Sequence, residues 1–443
     1  MVIALTNSRL EWLVGIVQRM SILLKIKNWA KEKYKKKRNK MLRWYLNPAT
    51  TSLAKVHFSA CLTTVMRILY PEYRLLPISK IGTSGHDASK MWPAFSGKAF
   101  APKYIGKQAR SNAYTFPTVT ARRFANATVC GTASAFVCGD EALLPDYYVA
   151  TPQALIEDGT LLFAQLHSQA MVRHRPYDRI EKGICVFGSG ATNWYHWLIE
   201  ILPAAGYAQS LCEQFDAYPL LVPESCLQRP TFRDSLLAVA PDCQFKPMKP
   251  DLLYQVEDLV VIDSPVRGPM NFTKGQWPKI TDYAQHDPAL LAHRRLILDS
   301  LEIPSQTAGR RIFLARDNVR RAYNQEELLA VAADFGFEAV YPEMMTFREQ
   351  VELFHSASLI VGASGAAFAN MIFCQAGTRA LTWIIPQYDE FCCYSNLAGL
   401  VGADLNYLFV SSAVNITSSF EAYSAAYNVD PIELRAALIA LNF

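Results

Sequence analysis

Cysteine is sparse and scattered in this chain. Ten occur, at positions 61, 130, 138, 185, 212, 226, 243, 374, 392 and 393, and no two are spaced C-x-x-C. That spacing argues against a zinc ribbon, a thioredoxin-like centre or a small disulfide scaffold. Cys185, Cys212 and Cys374 sit in apolar runs, where a free thiol acts as a small hydrophobe, and the pattern points to a reducing compartment. Glycine is scarce, 21 in 443 residues, and no heptad repeat is sustained, which excludes collagen and coiled coil. No apolar run reaches the roughly 18 residues that a transmembrane helix needs. Arg9, Glu11, Gln18 and Arg19 interrupt every candidate. A small-residue cleavage site after a short apolar core is missing too, which argues against a cleaved signal peptide.

What is present is a chain with ample apolar material, 51% hydrophobic. Disorder as the main state is excluded, and the length suits two domains, or one large domain with additions. The net charge of +5 conceals an asymmetry. The first 50 residues carry 12 Lys and Arg against Glu11 and Glu32, and the other 393 carry 32 basic and 37 acidic residues. A basic leader therefore precedes a mildly acidic body. In the leader, Leu10, Leu13, Val17, Met20 and Leu24 recur at helical spacing, and Trp29, Tyr34, Trp44 and Tyr45 flank or interleave a dense Lys/Arg run. An apolar stripe with basic and aromatic flanks describes an amphipathic helix on an anionic membrane surface, through residues 1–45. A solvated basic tail and a nucleic-acid-binding arm are the alternatives. The stripe and the aromatics favour the membrane surface and give no call for nucleic acid.

The pattern predicts an α/β body. Residues 56–180 read as short strands and turns. From Gly183 strands alternate with helices: strands at Ile184–Phe187, Pro219–Val222 and Leu259–Ile262, and helices from Trp194 to about Cys212 and over Thr231–Ala240. A helix opening at Asp287-Pro288, with Asp287 as N-cap, links to a second half. There, strands at Ile312–Ala315, Glu338–Tyr341, Leu359–Val361 and Ala380–Ile385 alternate with three helices. Asn324 with Glu327 resembles a capping box, and Thr346 with Glu349 forms one. Such alternation implies parallel βαβ units and Rossmann-like sheets. The expected division is a leader over 1–55, a first body domain over 56–285, a second over 286–390, and a segment over 391–443 that packs back on the body.

In open α/β sheets ligands bind at the carboxyl ends of strands. Two loops there carry chemistry in the second half. One holds Arg316, Asp317, Asn318, Arg320 and Arg321. The other is Gly362-Ala363-Ser364-Gly365-Ala366, which runs into a helix whose free N–H groups favour an anion. Arginines facing a helix N-terminus suit a diphosphate held without a metal. Neither a Walker loop nor G-x-G-x-x-G is present. The bland alternatives are tight turns and a solvated loop. In the first half, His196 and Glu200 stand i and i+4 in Trp194-Tyr195-His196-Trp197-Leu198-Ile199-Glu200, on one helical face. H-x-x-x-E lacks the second histidine of a zinc protease, so no metal is expected. A histidine beside a glycine loop suits a general base for a hydroxyl. The alternative is a buried imidazole tied to Glu200 that fixes the helix.

Taken together, these stretches resemble glycosyltransferase family 61. The match runs from Asn193-Trp194-Tyr195-His196-Trp197-Leu198-Ile199-Glu200-Ile201-Leu202-Pro203, through Arg311–Arg316, Asn324–Leu328 and Phe335–Glu343. It ends with Gly362–Ala366, Asn370, Phe373 and Gly377. The resemblance implies a GT-B-like pair of Rossmann-like domains and an inverting, metal-independent transfer from a nucleotide sugar, a UDP-sugar being favoured, with no other cofactor. It implies a glycan or lipid-linked acceptor, in surface polysaccharide synthesis. The basic leader and the missing entry signal place the body in the cytoplasm, on the inner face of a membrane. It places the nucleotide in the C-terminal half and the acceptor toward the N-terminal half. His196 becomes the candidate base and Glu200 its orienter. Arg316, Arg320, Arg321, Ser364, Gly365, Ala366, Glu343 and Asn370 become the candidate donor contacts, with Glu343 set for the ribose. Where the family often has His-Gly-Ala, this chain has Ser364-Gly365-Ala366. Ser364 can donate a hydrogen bond but carries no charge, and this departure supports a second reading, an inactive membrane-associated assembly subunit.

Overall fold

The computed structural model describes residues 73–443, apart from the stretches 146–157, 160, 167–168, 174–177, 212, 251, 270–276, 305–307, 318–321, 411–415, 417–418 and 423–424. The basic leader and its expected helix lie outside the described residues.

Two sheets carry the fold, and both belong to one compact unit, Glu72–Phe443. At one end of the first sheet stand four parallel strands, in the spatial order Phe245–Met248, Leu220–Pro223, Asp178–Cys185 and Tyr254–Ile262. Ile184 lies between Leu220 and Val260. Leu220–Pro223 is buried at every position, the continuous apolar run expected of a parallel strand covered on both faces. The sheet continues through the antiparallel strand Val119–Val129 into a β-rich region that includes Phe136–Cys138, Glu141–Leu144 and Tyr73–Lys80. Short strands between Gly, Pro and Asp punctuation were the expectation for this region.

The second sheet has six strands, all parallel: Glu338–Val340, Arg310–Leu314, Ala357–Ala363, Arg379–Ile384, Asp404–Phe409 and Lys103–Tyr104. Numbered along the chain from Arg310, the first five follow the doubly wound order 2-1-3-4-5. The direction of winding therefore reverses between Arg310–Leu314 and Ala357–Ala363. The four strands expected from the sequence are all there. Asp404–Phe409 adds a fifth, and Lys103–Tyr104 arrives from far upstream, across the expected division at residue 285. Its pairing is fastened by the Lys103–Asp404 ion pair at 2.6 Å and by Tyr104 stacked on Phe409 at 3.9 Å.

One apolar cluster runs from the helical face of the first sheet into the second sheet, and another fills the opposite face of the first sheet. In the first, Trp197 is fully buried and its indole N–H donates to Ser235 Oγ at 2.9 Å, so burial leaves no polar atom stranded.

Several local expectations change in detail. The helix Asp287–Ser300 is capped by His286, whose Nδ1 accepts from the Ala289 N–H, rather than by Asp287. The Asp287 carboxylate instead accepts from Gln285 Nε2 at 2.8 Å. Asn324 does not cap its helix, because Val429 engages both ends of its amide. The Thr346–Glu349 capping box forms in full, opening the helix Phe347–Ser356. Residues Ala366–Phe373 wind as a 3₁₀ helix rather than an α-helix. The last helix, Pro431–Ala440, lies against Gln325–Ala333, where Arg435 pairs with Asp334.

Candidate active site

The histidine face is built by a glycine turn and a widened helix. Gly190 has φ +75, a conformation that favours glycine, and a Cβ there would stand 2.7 Å from His196 Cδ2. Asn193 Oδ1 then accepts from the Tyr195 N–H at 2.9 Å and caps a helix that runs over 194–209. Residues His196–Ile201 wind as a π-helix. Leu202–Gln209 continues it as α-helix with Pro203 in its first turn. Proline has no N–H to return to the preceding turn, and a wider turn before it accommodates that loss.

His196 Nδ1 lies 2.8 Å from Glu200 Oε2, with side chains 27% and 16% exposed. Burial disfavours the imidazolium, but the charge and hydrogen bond of Glu200 outweigh it, so the His196 pKa is raised above its ordinary value. A carboxylate at Nδ1 fixes the Nδ1–H tautomer and leaves Nε2 as the basic nitrogen. Glu200 also lines an open cleft of about 190 Å³ at the carboxyl ends of the strands Asp178–Cys185 and Tyr254–Ile262.

Arg316 and the Ser364 loop meet at the reversal point of the second sheet. Arg316 Nη2 donates to the Ser364 carbonyl at 2.6 Å, and a Cβ at Gly365 would lie 2.8 Å from that nitrogen. Glycine is therefore what lets the guanidinium lie along the loop. Gly362, still in the strand Ala357–Ala363, allows close approach of the neighbouring strand, because a Cβ there would stand 2.7 Å from Leu314 Cβ. Gln325, missed from the sequence, clamps the backbone of Arg316: its Oε1 accepts from the Arg316 N–H at 2.7 Å and its Nε2 donates to the Arg316 carbonyl at 3.0 Å. Tyr323, also missed, donates its hydroxyl to the same Oε1 and sets its ring 5.9 Å below the guanidinium. The only advance signal for either was position, just before a helix that follows the arginine loop.

Glu343 sits beside this loop, its Oε1 accepting from the Asp317 N–H at 2.7 Å. Gly365 and Ala366 are half-buried, and Ser364 is 8% exposed. Arg320 and Arg321 lie outside the described residues.

Asn370 is fully buried. Its Oδ1 accepts from Trp194 Nε1 at 3.0 Å and its Nδ2 donates to Gln350 Oε1 at 2.9 Å. It has no surface to offer a ligand in this arrangement. It joins the start of the His196 helix to the turn that follows Ser364–Ala366, and so holds the two loops in one frame. Among the described residues no three His, Cys, Asp or Glu side chains gather in a way that could hold a metal ion.

Comparison with known families decides what this frame is. The family model for glycosyltransferase 61 matches residues 194–381, a span that opens at Trp194 and takes in His196, Glu200, Arg316, Gln325, Glu343, Ser364–Ala366 and Asn370. Residues 194–381 are a glycosyltransferase family 61 domain. Among curated proteins, the beta-1,2-xylosyltransferase XAX1 of Oryza sativa subsp. japonica is 27% identical over 192 residues, 42% of this chain and 32% of that protein. The chain thus spans about a third of the length of that relative. Within the glycosyltransferase 61 domain, His196–Glu200 marks the first quarter and Arg316 with Ser364–Ala366 the last part. Trp194–Asn370 ties its two ends together.

Proposed function

We propose that this protein is an inverting glycosyltransferase, moving a sugar from a nucleotide-sugar donor to a glycan or glycolipid acceptor, on a GT-B-like pair of Rossmann-like sheets. The observation that carries the reading is the Arg316–Ser364–Gly365 contact at the reversal point of the second sheet, inside the glycosyltransferase 61 domain. A guanidinium beside the first N–H groups of a helix suits a diphosphate leaving group. Glu343, beside the same loop, is suited to the ribose. A UDP-sugar is the favoured donor.

In the reaction, His196 Nε2 takes the acceptor hydroxyl proton as the new C–O bond forms at the anomeric carbon. The bond from that carbon to the diphosphate breaks, and its electron pair leaves with the diphosphate, stabilised by Arg316 and the loop amides. Glu200 holds the imidazole in the productive tautomer and stabilises the imidazolium that results. The chain's own residues supply base and electrostatics, so the mechanism needs no metal. Attachment of the basic residues 1–45 to an anionic cytoplasmic membrane face, in surface polysaccharide synthesis, completes the proposal.

Calorimetric titration with UDP, GDP, CMP and dTDP, beside an Arg316→Ala variant, tests the donor site. UDP binding that the variant loses is the expected result. Binding of none of the four would turn the reading toward an inactive assembly subunit. A sugar-transfer assay that includes UDP-xylose follows, because the rice relative is named a xylosyltransferase.

A further inference from the structure

The first sheet has a reversal point of its own. From Asp178–Cys185 the chain winds outward through Leu220–Pro223 to Phe245–Met248, then returns to the other side of Asp178–Cys185 as Tyr254–Ile262. A crevice outside the carboxyl ends of those two central strands is where such a sheet binds ligands. The 190 Å³ cleft lies there, bordered by Ser189 on one side and by Asp263 and Ser264 on the other.

Its charged lining is balanced. Arg122, Arg267, Asp263 and Glu200 all line one cavity. Arg122 Nη2 pairs with Asp263 Oδ2 at 3.4 Å, and the Thr120 N–H donates to the same oxygen at 3.0 Å. The three side chains Arg122, Asp263 and Glu200 are only 12%, 23% and 16% exposed, so they are fixed before any ligand arrives. A diphosphate or a uronic acid calls for an excess of positive charge, which two guanidinium groups matched by two carboxylates do not provide. A ring carrying several hydroxyl groups calls for donors and acceptors together, with apolar walls for its C–H faces. Phe187 and Ile262 supply such walls.

We infer that this cleft is the acceptor subsite and that it takes a neutral, hydroxyl-rich glycan terminus, without carboxylate or phosphate. The inference rests on the glycosyltransferase reading. Glu200 connects the two, since it lines the cleft and holds His196.

The test uses the full chain, with and without UDP, and saturation-transfer NMR with three probes: xylotriose and maltotriose, both neutral, and trigalacturonate, which is acidic. At least one neutral trisaccharide binds, and trigalacturonate does not. Thr118→Trp fills the cleft, and Arg267→Ala removes a donor without adding bulk. Each lowers neutral-glycan affinity by about tenfold or more, the effect of one lost buried polar contact. UDP affinity, unchanged in both variants, reports that they are folded. Binding of trigalacturonate alone, of no trisaccharide, or of neutral glycans undiminished by both variants would overturn the inference. Absence of UDP binding by the unaltered chain would instead overturn the donor reading, and the glycan titrations without UDP would still decide the cleft.

Discussion

The Arg316 guanidinium donates to the Ser364 carbonyl at 2.6 Å, and the space for it exists because residue 365 has no Cβ. The contact joins the two loops that flank the reversal point of the second sheet. Its φ of 174 makes Gly365 ordinary extended backbone, so the need for glycine is one of space. Gly365→Ala therefore displaces the guanidinium without straining the chain. Expected is a loss of about tenfold in UDP affinity by calorimetry, with the urea midpoint unchanged.

His196 and Glu200 make a prediction in pH. The reaction needs neutral imidazole, and Glu200 raises the His196 pKa. The transfer rate at saturating substrate then climbs along a limb centred above the ordinary imidazole value, about 6.5. Glu200→Gln removes the charge that holds the proton, so the limb moves to lower pH while the plateau rate falls. His196→Ala costs about 100-fold or more in plateau rate. In stability the sign is opposite: the pair contributes below the ordinary imidazole pKa, and its contribution is lost as pH rises through the raised value. An unmoved limb in Glu200→Gln would count against the pairing.

Asn370 separates a framework role from a ligand role. Replacement by Leu strands the Trp194 indole N–H and the Gln350 amide in a buried site. The expected cost is about 2–4 kcal/mol in urea unfolding. Trp194→Phe, which leaves only the Asn370 side unpaired, costs less. If Asn370 instead gripped the donor, UDP affinity would fall in variants that remain folded, beyond the loss explained by the altered frame.

Asp158 is fully buried beneath the glycine turn that precedes His196. Its Oδ2 accepts from the Ser134 and Ala135 N–H groups at 2.8 and 2.7 Å, and Ser134 Oγ in turn accepts from the Ser189 N–H at 2.9 Å. Burial pushes its pKa up to about 6, against the opposing hydrogen bonds from Ser189, Ala135 and Ser134. Between its unfolded value and about 6 the folded state keeps a proton that the unfolded state has released. Stability therefore falls as pH rises through that window. Asp158→Asn removes the effect, so from pH 4.5 to pH 7 the variant gains about 2 kcal/mol relative to the unaltered chain in urea unfolding.

Local chemistry was legible wherever the causes lay within a few residues. The Thr346–Glu349 box and the buried runs of the parallel strands are set by neighbours, and they stand where the pattern put them, whereas the strand expected to end at Val361 continues through Gly362 to Ala363. Phe245–Met248 was not legible, because Lys246 and Pro247 break the apolar run and the strand is an edge. Asn370 stands among the expected donor contacts through the family resemblance alone. Its true partner, Trp194, is 176 residues away, a distance over which no sequence pattern speaks. The His196–Glu200 pair was readable from i,i+4 spacing, whereas the π-turn that carries it was not. The Gln325 clamp on Arg316 closes a nine-residue loop from a strand end to a helix start, and no residue spacing marks it.

The short strand Lys103–Tyr104 sets a schedule for the protein's birth. Lys103 and its ion-pair partner Asp404 are 301 residues apart. On a ribosome adding 5–20 residues per second, roughly 15–60 s pass between the emergence of one and the other. During that interval Tyr104 has no Phe409 to stack on, and the last strand of the second sheet has no edge to join. Completion of the second sheet thus waits for Asp404–Phe409 to be made, and a nascent chain stalled before residue 404 carries an aromatic strand still waiting for its place.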